Sequence, residues 1–395
     1  ISKLSNIYFN DFEIQALTLA LIEKTFTKKF RKLNISDLKT FIPDKVFKAC
    51  LETVKDIKND YKLFLNDPNF LVRFIIHVNN LFDRVKFSKQ ETEDTMLTGL
   101  ALQYPFIYDL SLYTAEDLSK HLNISISYTE TTYLLLHFGS YLISRKQNLI
   151  NTVIITVNYY NNADSLLTSL SKHFGDDISI SEIKTNFSNE DINSKLILTT
   201  EDNIDVKDNN YVVKITPFLT DTDVIKIKKM INKIRHDVQT DKIIKFLHEF
   251  TSPNLFFNDL NFKNKKQCLV YAADKLLQYQ YVGKDFLNEI CERERMAPTL
   301  FDTVAMPHSL KLNAKKSQMV VMINNKPIKW SVDNKSQLII LISVNKNDRD
   351  IFEDLLQALI DELSIRKNVQ SLINSNNYNI FYTKIVNLMK NKSFD

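Results

Sequence analysis

His308 follows a short apolar run and a proline, in the string Val304-Ala305-Met306-Pro307-His308-Ser309. A strand would end there and present its imidazole. Fifteen residues upstream lies Arg293-Glu294, followed by Ala297-Pro298-Thr299. An imidazole nitrogen can take a phosphoryl group, and a nearby guanidinium can hold that group's oxygens with charge-assisted hydrogen bonds. A lone Pro-His pair would be an ordinary loop histidine. The two readings differ in what surrounds the pair, here R-E-x2-A-P-T-x5-A-M-P-H.

The elements that must position these residues change character along the chain. Up to residue 148 the pattern is helical, with apolar residues at three- and four-residue spacing in Phe12–Ile22, Phe70–Ile76 and Tyr133–Phe138. Pro43, Pro68 and Pro105 fall between such stretches. From Asn151 the sequence alternates β-branched runs with helical ones. Val153–Val157, Ile178–Ile180, Lys195–Thr199 and Tyr211–Ile215 read as strands, with helices over Ala163–Phe174 and Asp221–Ile231. That alternation predicts a small parallel α/β domain. A charged helical connector, Lys233–Leu247, leads to a last unit. It has a helix over Lys266–Gln278, strands over Met319–Ile323 and Leu338–Ser343, a helix over Asp348–Ile365, and a strand or helix around Tyr378–Leu388.

At 395 residues the chain predicts two to four domains. Its 44% hydrophobic and 25% charged content is that of a globular protein, and a net charge of +4 demands no acidic partner. Four glycines in the whole chain leave no G-x-G-x-x-G and no Walker A cradle, which argues against nucleotide binding of those kinds. Seven scattered histidines and three separated cysteines (Cys50, Cys268, Cys291) give no metal-ligand grouping, so neither a metal nor a cofactor is expected. Odd, isolated cysteines fit a reducing, cytoplasmic setting. No apolar run approaches the roughly 18 residues of a membrane span, and Ile-Ser-Lys-Leu-Ser at the start is no signal peptide.

The R-E-x2-A-P-T-x5-A-M-P-H stretch resembles the active-site segment of the fructose/mannitol-type IIA proteins of the bacterial phosphotransferase system. The resemblance covers 248–395 and implies His308 as phosphoacceptor with Arg293 steadying the phosphate. Members often carry a second histidine opening the long C-terminal helix; here that place is near Ile351-Phe352. Residues 39–148 resemble a PTS regulation domain, an all-helical bundle. Its two histidine motifs match His77-x6-Arg84, and Glu130-x6-His137 preceded by Tyr104-Pro105-Phe106-Ile107-Tyr108. This implies His77 and His137 as phosphorylation sites and Arg84 as a phosphate partner; otherwise they are helix-face histidines satisfied by packing. Residues 1–38, where Glu13-x6-Ala20 repeats the second spacing, resemble the end of a preceding regulation domain. Residues 151–232 resemble a IIB component on Leu196–Thr200 and Val212–Thr220, with 233–247 as connector. Such domains carry strand-Cys-x-x-Gly, whereas Val157 and Tyr160 stand there, so the fold is expected without the chemistry.

The order of these parts resembles sugar-operon regulators of the mannitol- and lichenan-regulator type. That implies a non-enzymatic, phosphohistidine-controlled transcription regulator, an activator, homodimeric through the regulation domain. Its partners would be the phosphocarrier protein HPr and sugar-specific IIA and IIB components. It would bind DNA through a helix-turn-helix region that is not in this chain, whose abrupt start agrees with a fragment. The alternatives are a IIA-type phosphocarrier and a scaffold whose phosphorylation has been lost. Direct nucleic-acid binding through Lys24, Lys28, Lys29, Arg31 and Lys32 is the least favoured reading.

Overall fold

The computed structural model describes residues 35–87, 98–145, 149–156, 162–184, 194–201, 210–332 and 334–390. The echo at Glu13–Ala20, the basic cluster at 24–32, and Val157 and Tyr160 lie outside the described residues. The chain divides into two compact units, one of Ile1–Tyr141 with Phe250–Phe381 and one of Leu142–Glu249 with Tyr382–Asp395. The first therefore joins the helical stretch to the C-terminal α/β part.

The helical stretch consists of α1 (Ile35–Leu38), α2 (Asp44–Tyr61), α3 (Pro68–Phe87), α4 (Thr98–Gln103), α5 (Pro105–Leu122) and α6 (Tyr128–Arg145). Val46, Phe47, Cys50, Thr53, Ile57 and Tyr61 recur at helical spacing and form the buried face of α2. Pro68 and Pro105 open their helices, where a missing N–H costs nothing because the first turn has no partner for it. The opening of α5 is unusual: every residue from Pro105 to Leu112 is buried. The cause is packing on two sides, against α2 and against helix α11 (Arg349–Leu363) of the C-terminal part.

That part is built on a five-stranded mixed sheet, order β5-β8-β9-β7-β6. Its strands are β5 (Phe256–Leu260), β6 (Leu300–Phe301), β7 (Val304–Ala305), β8 (Asn313–Lys329) and β9 (Lys335–Asn345). Helices α9 (Lys265–Gln278) and α10 (Phe286–Met296) lie before β6, and α11 and α12 (Arg366–Ile373) follow β9. Cys268, Leu269, Ala272, Leu276, Val320, Met322, Trp330, Ile339 and Leu341 meet in its core. Asp302, at φ 50°, makes the tight turn from β6 into β7, a conformation that asparagine and aspartate tolerate better than most residues. The segment around Tyr378–Leu388, open between strand and helix in the sequence, is helix α13 (Tyr378–Lys390).

The second unit holds a four-stranded parallel sheet, order β2-β1-β3-β4, from β1 (Ile150–Ile155), β2 (Ile178–Lys184), β3 (Leu196–Thr199) and β4 (Tyr211–Lys214). Its core packs α7 (Asn162–Phe174) and α8 (Asp221–Phe250) through Leu166, Leu170, Phe174, Ile227, Ile231 and Ile234. One correction belongs here. The helix expected over Asp221–Ile231 and the connector expected over Lys233–Leu247 are a single 30-residue helix. Nothing between them can break a helix, because the stretch has neither glycine nor proline. Its start is fixed by a reciprocal cap. Thr220 donates its backbone N–H (3.2 Å) and hydroxyl (2.7 Å) to Asp223, and Asp223 N–H donates back to the Thr220 hydroxyl at 3.3 Å.

Candidate functional site

Strand β7 aims the candidate histidine. Val304 and Ala305 pair in parallel with Leu338 and Ile339 of β9. The line continues past the strand, since Ile342 N–H donates to the Pro307 carbonyl at 2.9 Å and His308 bridges Ile342. The imidazole is thus held at the end of a sheet strand, as its sequence setting suggested. It is not presented to solvent, however; His308 is 1% exposed.

Its two nitrogens face different partners. Nδ1 lies 2.8 Å from the Met306 carbonyl oxygen, which can only accept, so Nδ1 carries a hydrogen. Nε2 lies 2.6 Å from Oδ2 of Asp109, a residue of α5 in the helical stretch 199 positions away. The other oxygen of Asp109 accepts from Arg293 Nε at 2.9 Å and lies 2.8 Å from another guanidinium nitrogen. Burial works to raise the Asp109 carboxyl, but Arg293 and His308 outweigh it and hold its pKa below the ordinary carboxylate range. As a carboxylate Asp109 also only accepts, so Nε2 carries a hydrogen too. His308, Asp109 and Arg293 form a buried triad, with the carboxylate between the imidazole and the guanidinium.

Surrounding groups fix the triad. The Arg293 guanidinium also donates to the Ala297 carbonyl. Its neighbour Glu294, buried, accepts from Thr299, from Lys265 at 2.7 Å and from Trp330 Nε1 at 3.1 Å. This ties the Ala297-Pro298-Thr299 loop to the core, and Met306 N–H donates to the Thr299 carbonyl at 2.8 Å. Phe352 of α11 lies edge-on to the His308 ring, 5.5 Å between centroids. It stands where the resemblance predicts a second histidine, and it also contacts Phe106 of α5 at 6.5 Å. Arg349, on the same helix, donates to the Tyr61 carbonyl at 3.1 Å.

The other two candidate histidines come together elsewhere in the helical stretch. His77 on α3 and His137 on α6 stack with centroids 5.7 Å apart and rings 9° from parallel. Phe70, Phe74 and Phe138 surround His137. Nε2 of each histidine is buried without a hydrogen-bond partner. Burial is the main reason that their pKa values fall, to about 4 for His77 and about 3 for His137, with Arg84 adding to the first and His77 to the second. Both are neutral imidazoles at pH 7. Arg84 is held by Glu130 through two hydrogen bonds of 2.7 and 2.8 Å. The motif residues of both spacings, His77 with Arg84 and Glu130 with His137, thus meet in one place.

For metal binding, the described residues offer one grouping, Asp56, Asp117 and His121, with ligand atoms within 4.8 Å of one another. Asp117 already accepts from the Thr53 hydroxyl at 2.6 Å and lies 3.5 Å from His121 Nε2. Hydrogen bonding and ion pairing account for the cluster.

The residue missed in the sequence is Asp109. It stands directly after Tyr104-Pro105-Phe106-Ile107-Tyr108, and its signal was there: one charged side chain in a run of apolar residues opening a helix. Such a residue needs a buried counter-charge.

Two protein families match parts of the chain. The PRD domain family matches residues 51–141. The family described as phosphoenolpyruvate-dependent sugar phosphotransferase system, EIIA 2, matches residues 249–387. The probable licABCH operon regulator of Bacillus subtilis (strain 168) is 23% identical over 370 residues, covering 91% of this chain and 55% of that protein. The transcriptional regulator ManR of the same organism is 22% identical over 336 residues, covering 80% and 51%. The crystal structure of IIA mannitol from Escherichia coli aligns with a TM-score of 0.30 and 18% identity, over 35% of this chain and 97% of that one. The chain spans about half the length of the curated relatives it matches. It carries a PRD domain followed by an EIIA 2 domain of the sugar phosphotransferase system, and it is similar over most of its length to these two regulators.

Proposed function

We propose that the chain is the regulatory portion of a transcriptional activator of a sugar-utilisation operon, controlled by histidine phosphorylation from the phosphotransferase system. One observation carries this reading: a PRD domain and an EIIA domain occur in a single chain that is similar along most of its length to operon regulators. Three histidines are the inputs. His308 accepts a phosphoryl group on Nε2, the nitrogen not committed to a backbone carbonyl, and Arg293 supplies the guanidinium for its oxygens. His77 and His137 are neutral with an unpartnered Nε2, the state a nucleophilic imidazole needs, and Arg84 is the nearby cation.

Phosphorylation would add roughly two negative charges to either place. Charge of that size biases a two-state packing, which a DNA-binding end elsewhere in the full-length protein would sense. The phosphoryl donors are the phosphocarrier protein HPr and sugar-specific components. The PRD region serves as the homodimer contact, and the parallel-sheet domain over 151–232 is a IIB-like module with Val157 at the cysteine position. The burial of His308 argues against the alternative of a freely exchanging phosphocarrier.

Phosphate transfer from phosphoenolpyruvate through the general phosphotransfer proteins tests this, with label located by mass spectrometry in wild type, His77→Ala, His137→Ala and His308→Ala. Label at these histidines is the expected result. A wild-type chain that takes no label from donors active on a control protein overturns the proposal and leaves a scaffold.

A further inference from the structure

The Asp109 carboxylate stands where a phosphoryl group on His308 would stand. A phosphoryl group bound to Nε2 extends from the ring in the direction now taken by Oδ2 of Asp109, and its oxygens require Arg293, now paired to Oδ1 of the same carboxylate. The side chains of the three residues are only 1–5% exposed. Around them, Phe106 and Phe352 meet across the seam between α5 and α11, and Arg349 ties α11 to the end of α2 through the Tyr61 carbonyl. A donor would have to deliver its phosphorus along the line that α5 fills.

We propose that Asp109 is an internal occupant of the phosphoryl site, so that docking of the PRD helices on the EIIA domain and phosphorylation of His308 exclude one another. The inference rests on the reading of His308 as phosphoacceptor and supplies the regulation of that site. With α5 docked, Nε2 carries a hydrogen and has no lone pair to offer. With α5 released, Nε2 gives its hydrogen to solvent and the freed lone pair attacks. The transfer forms a P–Nε2 bond and breaks the donor's P–N bond, and the departing nitrogen takes up a proton from solvent. Once the phosphoryl group is in place, Asp109 cannot return, because like charges would meet within hydrogen-bonding distance and Arg293 has changed partner. Phosphorylation at the EIIA end is thereby converted into freedom of a PRD helix. Any protein that docks on the His308 face must displace the same helix.

Phosphoramidate tests this on the full chain without the need for a protein donor; its P–N bond breaks and the departing ammonia takes a proton from solvent as ammonium. Label at His308 is followed by mass spectrometry in wild type, Asp109→Asn (same shape, no charge) and Asp109→Ala, with amide hydrogen exchange over 105–122 before and after labelling. The expected result is at least tenfold faster labelling of Asp109→Ala than of wild type, with Asp109→Asn between them. In labelled wild type, exchange over 105–122 speeds up, a readout that needs no variant to fold. Equal labelling rates, with no change in exchange on phosphorylation, overturn the exclusion while leaving His308 an acceptor. Label absent from His308 in all three, under conditions that label an authentic EIIA protein, overturns both this inference and the acceptor role.

Discussion

Oδ2 of Asp109 lies 2.6 Å from Nε2 of His308, and this contact joins the PRD helices to the EIIA sheet through one buried hydrogen bond. With Arg293 the pair becomes a triad in which one carboxylate serves both the imidazole and the guanidinium. Its energetics set the first expectations for mutagenesis.

Removing one member strands the others. Arg293→Leu is expected to destabilise the first unit by ~3–5 kcal/mol, the cost of leaving a buried charge unpaired. Asp109→Leu combined with Arg293→Leu should cost less than the sum of the two single changes, because the second change removes the charge that the first leaves unpaired. Urea denaturation of the four proteins of this cycle checks the coupling; additive losses would show that the two side chains do not interact.

Acid should loosen the helical stretch before it loosens the triad. His77 and His137 have folded pKa values of about 4 and about 3, below the ordinary value near 6.5. The unfolded chain therefore takes up protons first as pH falls. Each histidine contributes stability that is complete above about pH 7 and shrinks as the pH drops from 6.5 toward the folded value. The loss is about 2 kcal/mol per histidine between pH 6.5 and 5 at 1.36 kcal/mol per unit. For Asp109 the folded pKa is depressed, so its contribution is present above the unfolded carboxylate value and is lost only as pH falls through the lower folded one. Urea midpoints at pH 7 and 5 should differ, and His77→Phe should flatten the difference by about half.

Glu130 controls Arg84. The two hydrogen bonds between them hold the guanidinium against α6. Glu130→Ala is expected to cost about 1.5–3 kcal/mol, the range for hydrogen bonds to charged groups. It should also free Arg84 to meet a phosphoryl group, slowing loss of label from His77 or His137. Phosphohistidine lifetimes in the wild type and the variant measure this; an unchanged lifetime would mean that Arg84 does not serve those histidines.

The start of α8 depends on its cap. Asp223 accepts from the hydroxyls of Thr216 and Thr220 at 2.6 and 2.7 Å and from both backbone N–H groups, and these hold its carboxyl well below the usual range against the opposing effect of burial. Asp223→Ala should destabilise the second unit by about 1–2 kcal/mol, with faster amide exchange confined to the first turns of α8.

Much of the architecture was legible in the sequence because it rests on local periodicity. The helices described between 35 and 145, the four β-branched runs of the parallel sheet and the strand ending near His308 are all set by which side chains must leave water. No boundary falls between Ile231 and Lys233, because charged residues there mark only the solvated face of a helix, and the stretch has neither proline nor glycine to interrupt it. The spacing of His77 and Arg84, and of Glu130 and His137, is also local to each helix; that the two motifs meet, with stacked imidazoles and a paired arginine and glutamate, required the packing of α3 on α6. Asp109 shows the limit most clearly. Its position within an apolar run told that it needed a buried counter-charge, but the partners lie 184 and 199 residues away. Which cations answered it was decided by the docking of α5 against α11, a long-range burial of apolar surface that no local pattern encodes. The sequence by itself placed a histidine and an arginine fifteen residues apart in one motif; the tertiary structure decided that a distant aspartate is hydrogen-bonded to both, because burying the faces of α5 and α11 carries its carboxylate to them.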